Sequence, residues 1–233
     1  MSQAGGLRVE NVRGIVFDLD GTLIDSYEAI ADSLNTAMRG LGLPEYPPAE
    51  VRRMVGRGLE TLIARALGVD ESDAAGRAAV AEGVRLFRER YDEVCVAGTR
   101  LLPEVSDTLA ALDARGYRMG VATNKPSYFA RRLLSGLGAM PHLRVVMGPD
   151  LVAHHKPHPE MVHAALQRMG VAREHALYVG DMEIDVETAR AAGLPVVVMP
   201  TGSCDATALA ESGADVMLSG FGALLDLLPG PAL

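Results

Sequence analysis

Short apolar runs recur along the chain: "GIVFDLD" (14–20), "YRMGVATN" (117–124), "LRVVMG" (143–148), "ALYVGD" (176–181), "LPVVVMP" (194–200) and "ADVMLS" (214–219). Runs of this length, rich in β-branched residues and not alternating with polar ones, predict strands buried on both faces, as in a parallel sheet. Helix-period segments lie between them. "PEVSDTLAALDARG" has Pro103 near its start and Gly116 after its end, and "PSYFARRLLSGLG" repeats that asymmetry; "PEMVHAALQRMG" and "DVETARAAG" also end in glycine. Strand–helix alternation from about residue 100 onward predicts an α/β domain with right-handed crossovers.

Residues 27 to 97 break the alternation. "YEAIADSLNTAMRGLG", "AEVRRMVG", "GLETLIARALG" and "AAGRAAVAEGVRLFRERYDEV" all read as helices, with no convincing strand among them. A structureless loop of that length would be out of place in a compact domain. The pattern predicts an all-helical domain (26–97) inserted into a core built from 1–25 and 98–233.

The bulk properties mainly exclude. A formal charge of -8 and the absence of any basic run argue against nucleic acid as a partner. The amino-terminal stretch lacks the apolar core of a signal peptide, and no apolar run approaches the roughly 20 residues of a membrane span. The expectation is a soluble, cytoplasmic protein, monomer or homodimer, without membrane attachment. Cys95 and Cys204 stand far apart, in no metal or redox spacing.

Ligands of open α/β sheets bind beyond the carboxyl ends of the strands. The residues leaving those ends are Asp18, Asp20, Gly21 and Thr22; Thr123, Asn124 and Lys125; Lys156; and Asp181 and Asp185. Asp18 and Asp20 are two apart on an extended chain and face the same way. With Asp181 nearby they repel, and a divalent cation relieves the repulsion; an all-oxygen donor set favours Mg²⁺. Crowded acids also split their titrations, which supplies a nucleophile and a general acid from one residue type. Lys125 and Lys156 are the only lysines beside 20 arginines, and a thin ammonium fits between carboxylate and phosphate oxygens where a guanidinium does not.

"HHKPH" invites a metal reading, because His154 and His158 are four apart. Pro157 and Pro159 forbid the helix that this spacing requires, so zinc is not expected there. Gly56-x-Gly58 lacks a third glycine and a preceding strand, which excludes a dinucleotide site.

Taken in order, "DLDGT", "VATN", "KPHP" and "GDMEID" resemble the four motifs of the haloacid dehalogenase-like phosphohydrolases, and the resemblance covers essentially the whole chain. It implies a Rossmann-like doubly wound parallel sheet core with an inserted all-helical cap domain. By that resemblance Asp18 is the nucleophile that forms an aspartyl-phosphate, and Asp20 is the general acid–base. Mg²⁺ is held by the Asp18 carboxylate, the Asp20 backbone carbonyl and Asp181. Gly21, Thr123, Asn124 and Lys156 bind the phosphoryl group, and Asp185 is a supporting or helix-start residue. Thr123 has a competing reading as the N-cap of the following helix, and both roles can coexist.

Departures narrow the chemistry. Dehalogenases of the family lack the second aspartate. Phosphonate-cleaving members need a cap lysine, and residues 27–97 contain none. Mutases carry a cap histidine where this chain has Ile30. "ATNKP", "KPHPE" and "VGRGLETLIARALG" are similar to the phosphoglycolate phosphatase subfamily, which implies a small phosphorylated metabolite, 2-phosphoglycolate, as substrate. Arg57, between Gly56 and Gly58, is the candidate ligand for a substrate carboxylate, weighed against a plain solvated loop residue. The alternatives are a broad sugar-phosphate or nucleotide phosphatase and, from another class, a phospho-aspartate signalling module. That module is shorter, uncapped and without an acid two residues beyond its nucleophile.

Overall fold

Gly14–Phe17 form the first strand, and every residue in it is buried. The structure, a computed structural model, describes residues 9–70 and 72–230. The amino-terminal residues 1–8, read above for a leader, lie outside them.

In chain order the elements are β1 (Gly14–Phe17), β2 (Ile24–Asp25), α1 (Tyr27–Gly40), α2 (Pro48–Met54), α3 (Leu59–Leu67), α4 (Ala74–Val94), β3 (Arg100–Leu101) and α5 (Val105–Ala114). They continue with β4 (Arg118–Ala122), α6 (Ser127–Gly136), β5 (Val145–Met147), α7 (Glu160–Met169) and β6 (Ala176–Gly180). The last are α8 (Glu183–Ala192), β7 (Val196–Val198), α9 (Ala206–Glu211), β8 (Val216–Met217) and α10 (Leu224–Leu227). Between β5 and β6, α7 closes on Gly170, and between β6 and β7, α8 closes on Gly193; both glycines are left-handed.

The main sheet runs β5-β4-β1-β6-β7-β8, all parallel, with Phe17 opposite Val121 on one side and Val179 on the other. After β1 the chain builds outward through β4 and β5, then crosses to β6 and builds the other way. Right-handed crossovers in opposite directions place helices on opposite faces. α7 and α8 share one core with Val16, Ala122, Tyr178 and Val198. The opposite face receives Phe17, whose ring lies 5.5 Å from that of Phe221. The order reverses at β1, so its carboxyl end opens into the crevice where such sheets bind ligands. The chain is thus α/β, as the apolar runs predict, and doubly wound, as the family resemblance implies.

Two compact units are present, Met1–Asp25 with Leu101–Leu233, and Ser26–Arg100. In the second, α1 and α3 pack on α4. Asp32 and Arg90 join α1 to α4 at 2.8 Å, and Gly83 lets Ile63 approach to where a Cβ would sit 2.6 Å from its Cγ2. Arg52 covers the Tyr27 ring at 4.4 Å. Arg57 is exposed in the turn between α2 and α3. No helix of the described residues is long and apolar enough to cross a membrane.

Candidate active site

Asp18 follows β1 directly, and its N–H donates to Val179 O (2.9 Å), so the sheet ladder itself carries the carboxylate to the crevice. The chain then turns sharply: Leu19 O accepts the N–H groups of Thr22, Leu23 and Ile24. Within that turn Asp20 stands partly exposed and Thr22 is buried.

Lys156 is 2% exposed. Its Nζ lies 2.9 Å from Asp18 Oδ1 and 2.7 Å from Asp185 Oδ1. An ammonium that deep is tolerable only with such partners. Burial works against its charge, but Asp18 and Asp185 outweigh it and lift its pKa well above the usual lysine value. Tyr178 Oη sits 3.2 Å from Lys156 Nζ, from Asp185 Oδ1 and from Ala122 O. The Lys156 backbone is clamped by Asn124, whose Oδ1 accepts its N–H (3.0 Å) and whose Nδ2 donates to its carbonyl (3.4 Å).

Asp185 is in the first turn of α8. Its Oδ2 accepts the N–H groups of Asp181 and Met182, both at 3.0 Å. With its other oxygen on Lys156, it ties the helix start, the β6 terminus and the lysine together. Asp181 is fully buried and wedged between glycines. A Cβ on Gly202 would stand 1.6 Å from its Oδ2, and one on Gly21, whose φ is +90°, 2.5 Å away. Thr22 Oγ1 donates to Asp181 Oδ1 (2.6 Å).

The second lysine meets the second acid of "DLD". Lys125 Nζ is 3.0 Å from each carboxylate oxygen of Asp20. Thr123 is buried and its Oγ1 accepts the Lys125 N–H (3.2 Å), which leaves its own proton to donate. Thr123 does not cap α6. Asp150 reaches back to do so, accepting from Ser127 N (2.7 Å) and Ser127 Oγ (2.5 Å).

Oxygens of Asp18, Asp181 and Asp185 lie within 4.8 Å of one another. Burial pushes the Asp18 carboxyl up to about 6, with Lys156 opposing, and it lifts Asp181 well above the carboxylate range, reinforced by Asp185. Asp181 Oδ2 is buried with no hydrogen-bond partner, an arrangement that costs free energy unless something positive completes it. Ionised, Asp18, Asp20, Asp181 and Asp185 face two ammonium groups, and the two charges left over equal those of one divalent cation. The donor set is all oxygen and fits a hard ion. Since Asp185 spends both oxygens on protein donors, Asp18 and Asp181 are the carboxylates available to it.

Of the residues proposed from sequence, the structure brings Asp18, Asp20, Gly21, Thr123, Asn124, Lys156, Asp181 and Asp185 to the carboxyl ends of β1, β4 and β6 and the loop before α7. Arg57 belongs to the helical unit. Sequence reasoning gave no part to the Thr22 hydroxyl, the Lys125–Asp20 pair, Tyr178 or Gly202. The scarcity of lysine was the available signal for Lys125. A lone hydroxyl-bearing ring in the apolar "ALYVG" run was the signal for Tyr178.

One expectation needs correction. The prolines do exclude a helix through "HHKPH", yet His154 and His158 meet. A turn closed by His158 N–H to His155 O (3.0 Å) brings their rings to 4.5 Å, tilted by 36°. A turn achieves what the absent helix could not.

The fold is a doubly wound sheet with buried carboxylates, and an ion-paired lysine, at the end of its central strand. The chain belongs to the haloacid dehalogenase-like hydrolase family, whose model matches residues 15–199. It is 37% identical over 238 aligned positions to the phosphoglycolate phosphatase of Salmonella choleraesuis, covering 95% of this chain and 93% of that one. The Escherichia coli K12 phosphoglycolate phosphatase is 36% identical over the same coverage. Among solved structures, a predicted phosphoglycolate phosphatase from Haemophilus somnus superposes with a TM-score of 0.85 at 29% identity, covering 93% of this chain and 98% of that one. CbbY from Rhodobacter sphaeroides, solved in complex with phosphate, gives 0.78 at 28% identity, with coverage of 91% and 96%.

Proposed function

We propose that this phosphatase hydrolyses small phosphomonoesters, 2-phosphoglycolate foremost, through an aspartyl-phosphate on Asp18 and with Mg²⁺ as its cofactor. The observation that carries the reading is Asp18 itself: a buried carboxylate at the end of the central strand, aligned by Lys156 at 2.9 Å and followed two residues later by a second acid.

In the first half-reaction an Asp18 oxygen attacks phosphorus, the bond from phosphorus to the leaving oxygen breaks, and Asp20 gives that oxygen a proton. In the second, Asp20 takes a proton from water as the water oxygen attacks the phosphorus. The acyl-phosphate bond breaks, orthophosphate leaves and the Asp18 carboxylate is restored. Lys156, Thr123 and Asn124 hold the phosphoryl oxygens, while Lys125 keeps Asp20 in place; Gly21, expected among them, instead gives its N–H to Ile24 O (2.8 Å) and shapes the turn. Asp18, Asp181 and the Asp20 carbonyl would hold Mg²⁺, which supplies charge compensation for the transferring group. The identity of the curated relatives supports 2-phosphoglycolate. Its carboxylate is matched to Arg57, a planar donor fork suited to that group.

Rapid quenching with 2-phosphoglycolate followed by peptide mass mapping tests the mechanism: a phosphoryl group on Asp18 is expected early in turnover. Hydrolysis without it at any time rejects the intermediate. Steady-state kcat/KM over a phosphomonoester panel tests the substrate, with 2-phosphoglycolate expected to lead. A sugar phosphate or nucleotide ahead of it rejects that choice and leaves the phosphatase intact. Arg57→Ala is expected to raise KM for 2-phosphoglycolate and not for an ester without a carboxylate.

A further inference from the structure

The segment from His154 to Glu160 carries three groups with metal-ligand chemistry that phosphoryl transfer does not use. His154 and His158 are exposed; Glu160 is partly buried in the first turn of α7. The carboxylate is already oriented: one oxygen accepts Ala153 N–H at 3.1 Å and the other accepts His154 N–H at 2.9 Å. The Glu160 N–H in turn points at His158 Nδ1 (3.3 Å), so one residue orients both the carboxylate and a ring. His154 Nδ1 lies 2.9 Å and His158 Nδ1 4.0 Å from Glu160 Oε2. A ring nitrogen from each histidine and a carboxylate oxygen all fall within 4.8 Å of one another.

Donor chemistry separates this cluster from the active site. Two imidazole nitrogens with one carboxylate form the set that zinc-type ions take with an open position for water, whereas the all-oxygen aspartate cluster suits a hard ion. His155 is not part of it, since its Nδ1 is turned to Lys156 O (3.0 Å). Ligands around a tetrahedral zinc at about 2.0–2.1 Å stand roughly 3.3 Å apart. His154 and Glu160 are near that separation already, and a rotamer-scale movement of an exposed ring brings in His158.

We propose that His154, His158 and Glu160 form a second cation site, for a divalent transition metal of the zinc type, distinct from the carboxylate cluster. The test titrates the full-length, Mg²⁺-saturated protein with Zn²⁺ by calorimetry and records the zinc X-ray absorption spectrum. One zinc per chain with two imidazole nitrogens among its neighbours is expected. His154→Ala, an exposed position where folding is not at stake, should weaken binding about tenfold or more, since even the loss of a supporting residue costs that much. It should also leave hydrolysis in zinc-free Mg²⁺ buffer unchanged. A zinc shell of oxygens only, no zinc retained, or equal affinity in His154→Ala would each overturn the site. None of these readouts requires the chain to turn over any particular phosphoester.

Discussion

Lys125 Nζ bridges both carboxylate oxygens of Asp20 at 3.0 Å, across 105 residues of sequence. The pair is nearly buried, with side-chain exposures of 7% and 12%, so it is screened far less than a surface ion pair. It fixes the one acid of "DLD" that is not tied to Lys156. Lys125→Ala should therefore lower kcat by about 10–100-fold through a misplaced acid–base group, with secondary structure intact by circular dichroism. A change under about twofold would remove Lys125 from the working site.

The two aspartates should fail differently. Asp18→Asn is expected to abolish turnover, because an amide cannot serve as the nucleophile. Asp20→Asn is expected to cost about 10²–10⁴ in kcat, the usual worth of a positioned acid–base group. Equal losses in steady-state assays would contradict the division of roles.

Gly202 has a steric function. A methyl there would fall 1.6 Å from Asp181 Oδ2, so Gly202→Ala must displace that carboxylate or the loop. The expected result is a rise of about tenfold or more in the Mg²⁺ concentration giving half-maximal activity, with a smaller loss of kcat at saturating Mg²⁺. Calorimetric Mg²⁺ affinity equal to that of the parent chain would refute it.

Metal and pH should be linked in a defined direction. The Asp18 carboxyl rises from its ordinary 3.8 to about 6 through burial, and Asp181 moves the same way. The folded chain thus keeps protons in a window where the unfolded chain has lost them. Without metal, the Asp18 contribution makes stability fall as pH climbs from about 4 to about 6, and the raised Asp181 acts in the same direction. A cation that binds the ionised pair opposes this, so the rise in Tm on adding Mg²⁺ should be larger at about pH 7.5 than at about pH 5. Melting curves in EDTA and in Mg²⁺ check it; a pH-independent increment would argue against Asp18 and Asp181 as ligands.

The sheet was legible because its strands are buried on both faces and so read as unbroken apolar runs. Their ends were less so. "GIVFDLD" continues apolar through Leu19, which is fully buried yet belongs to the turn whose N–H groups converge on its carbonyl. The helix of residues 74–94 announced itself by its periodicity, and Asp73 caps it by accepting from Gly76 N at 2.6 Å. At the site, Asp18, Asp20 and Asp181 stood out because their positions follow from strand ends, and Lys156 because lysine is scarce. The Lys125–Asp20 pair joins segments far apart in sequence, and the Thr22–Asp181 bond depends on a turn that no periodicity encodes. His154 and His158 show the opposite error, in which a correct rule about proline was applied to the wrong geometry.

The central place of β1 has a consequence for biosynthesis. The ribosome releases β1 early, but its partners β4 and β6 emerge only from Arg118 and Ala176 onward. In the interval a fully apolar strand has no sheet to join, an aggregation hazard for a nascent polypeptide. Ser26–Arg100 meanwhile leaves the exit tunnel with all its helices, and domains generally fold as units during synthesis. Chaperone demand should therefore peak before residue 180 is translated.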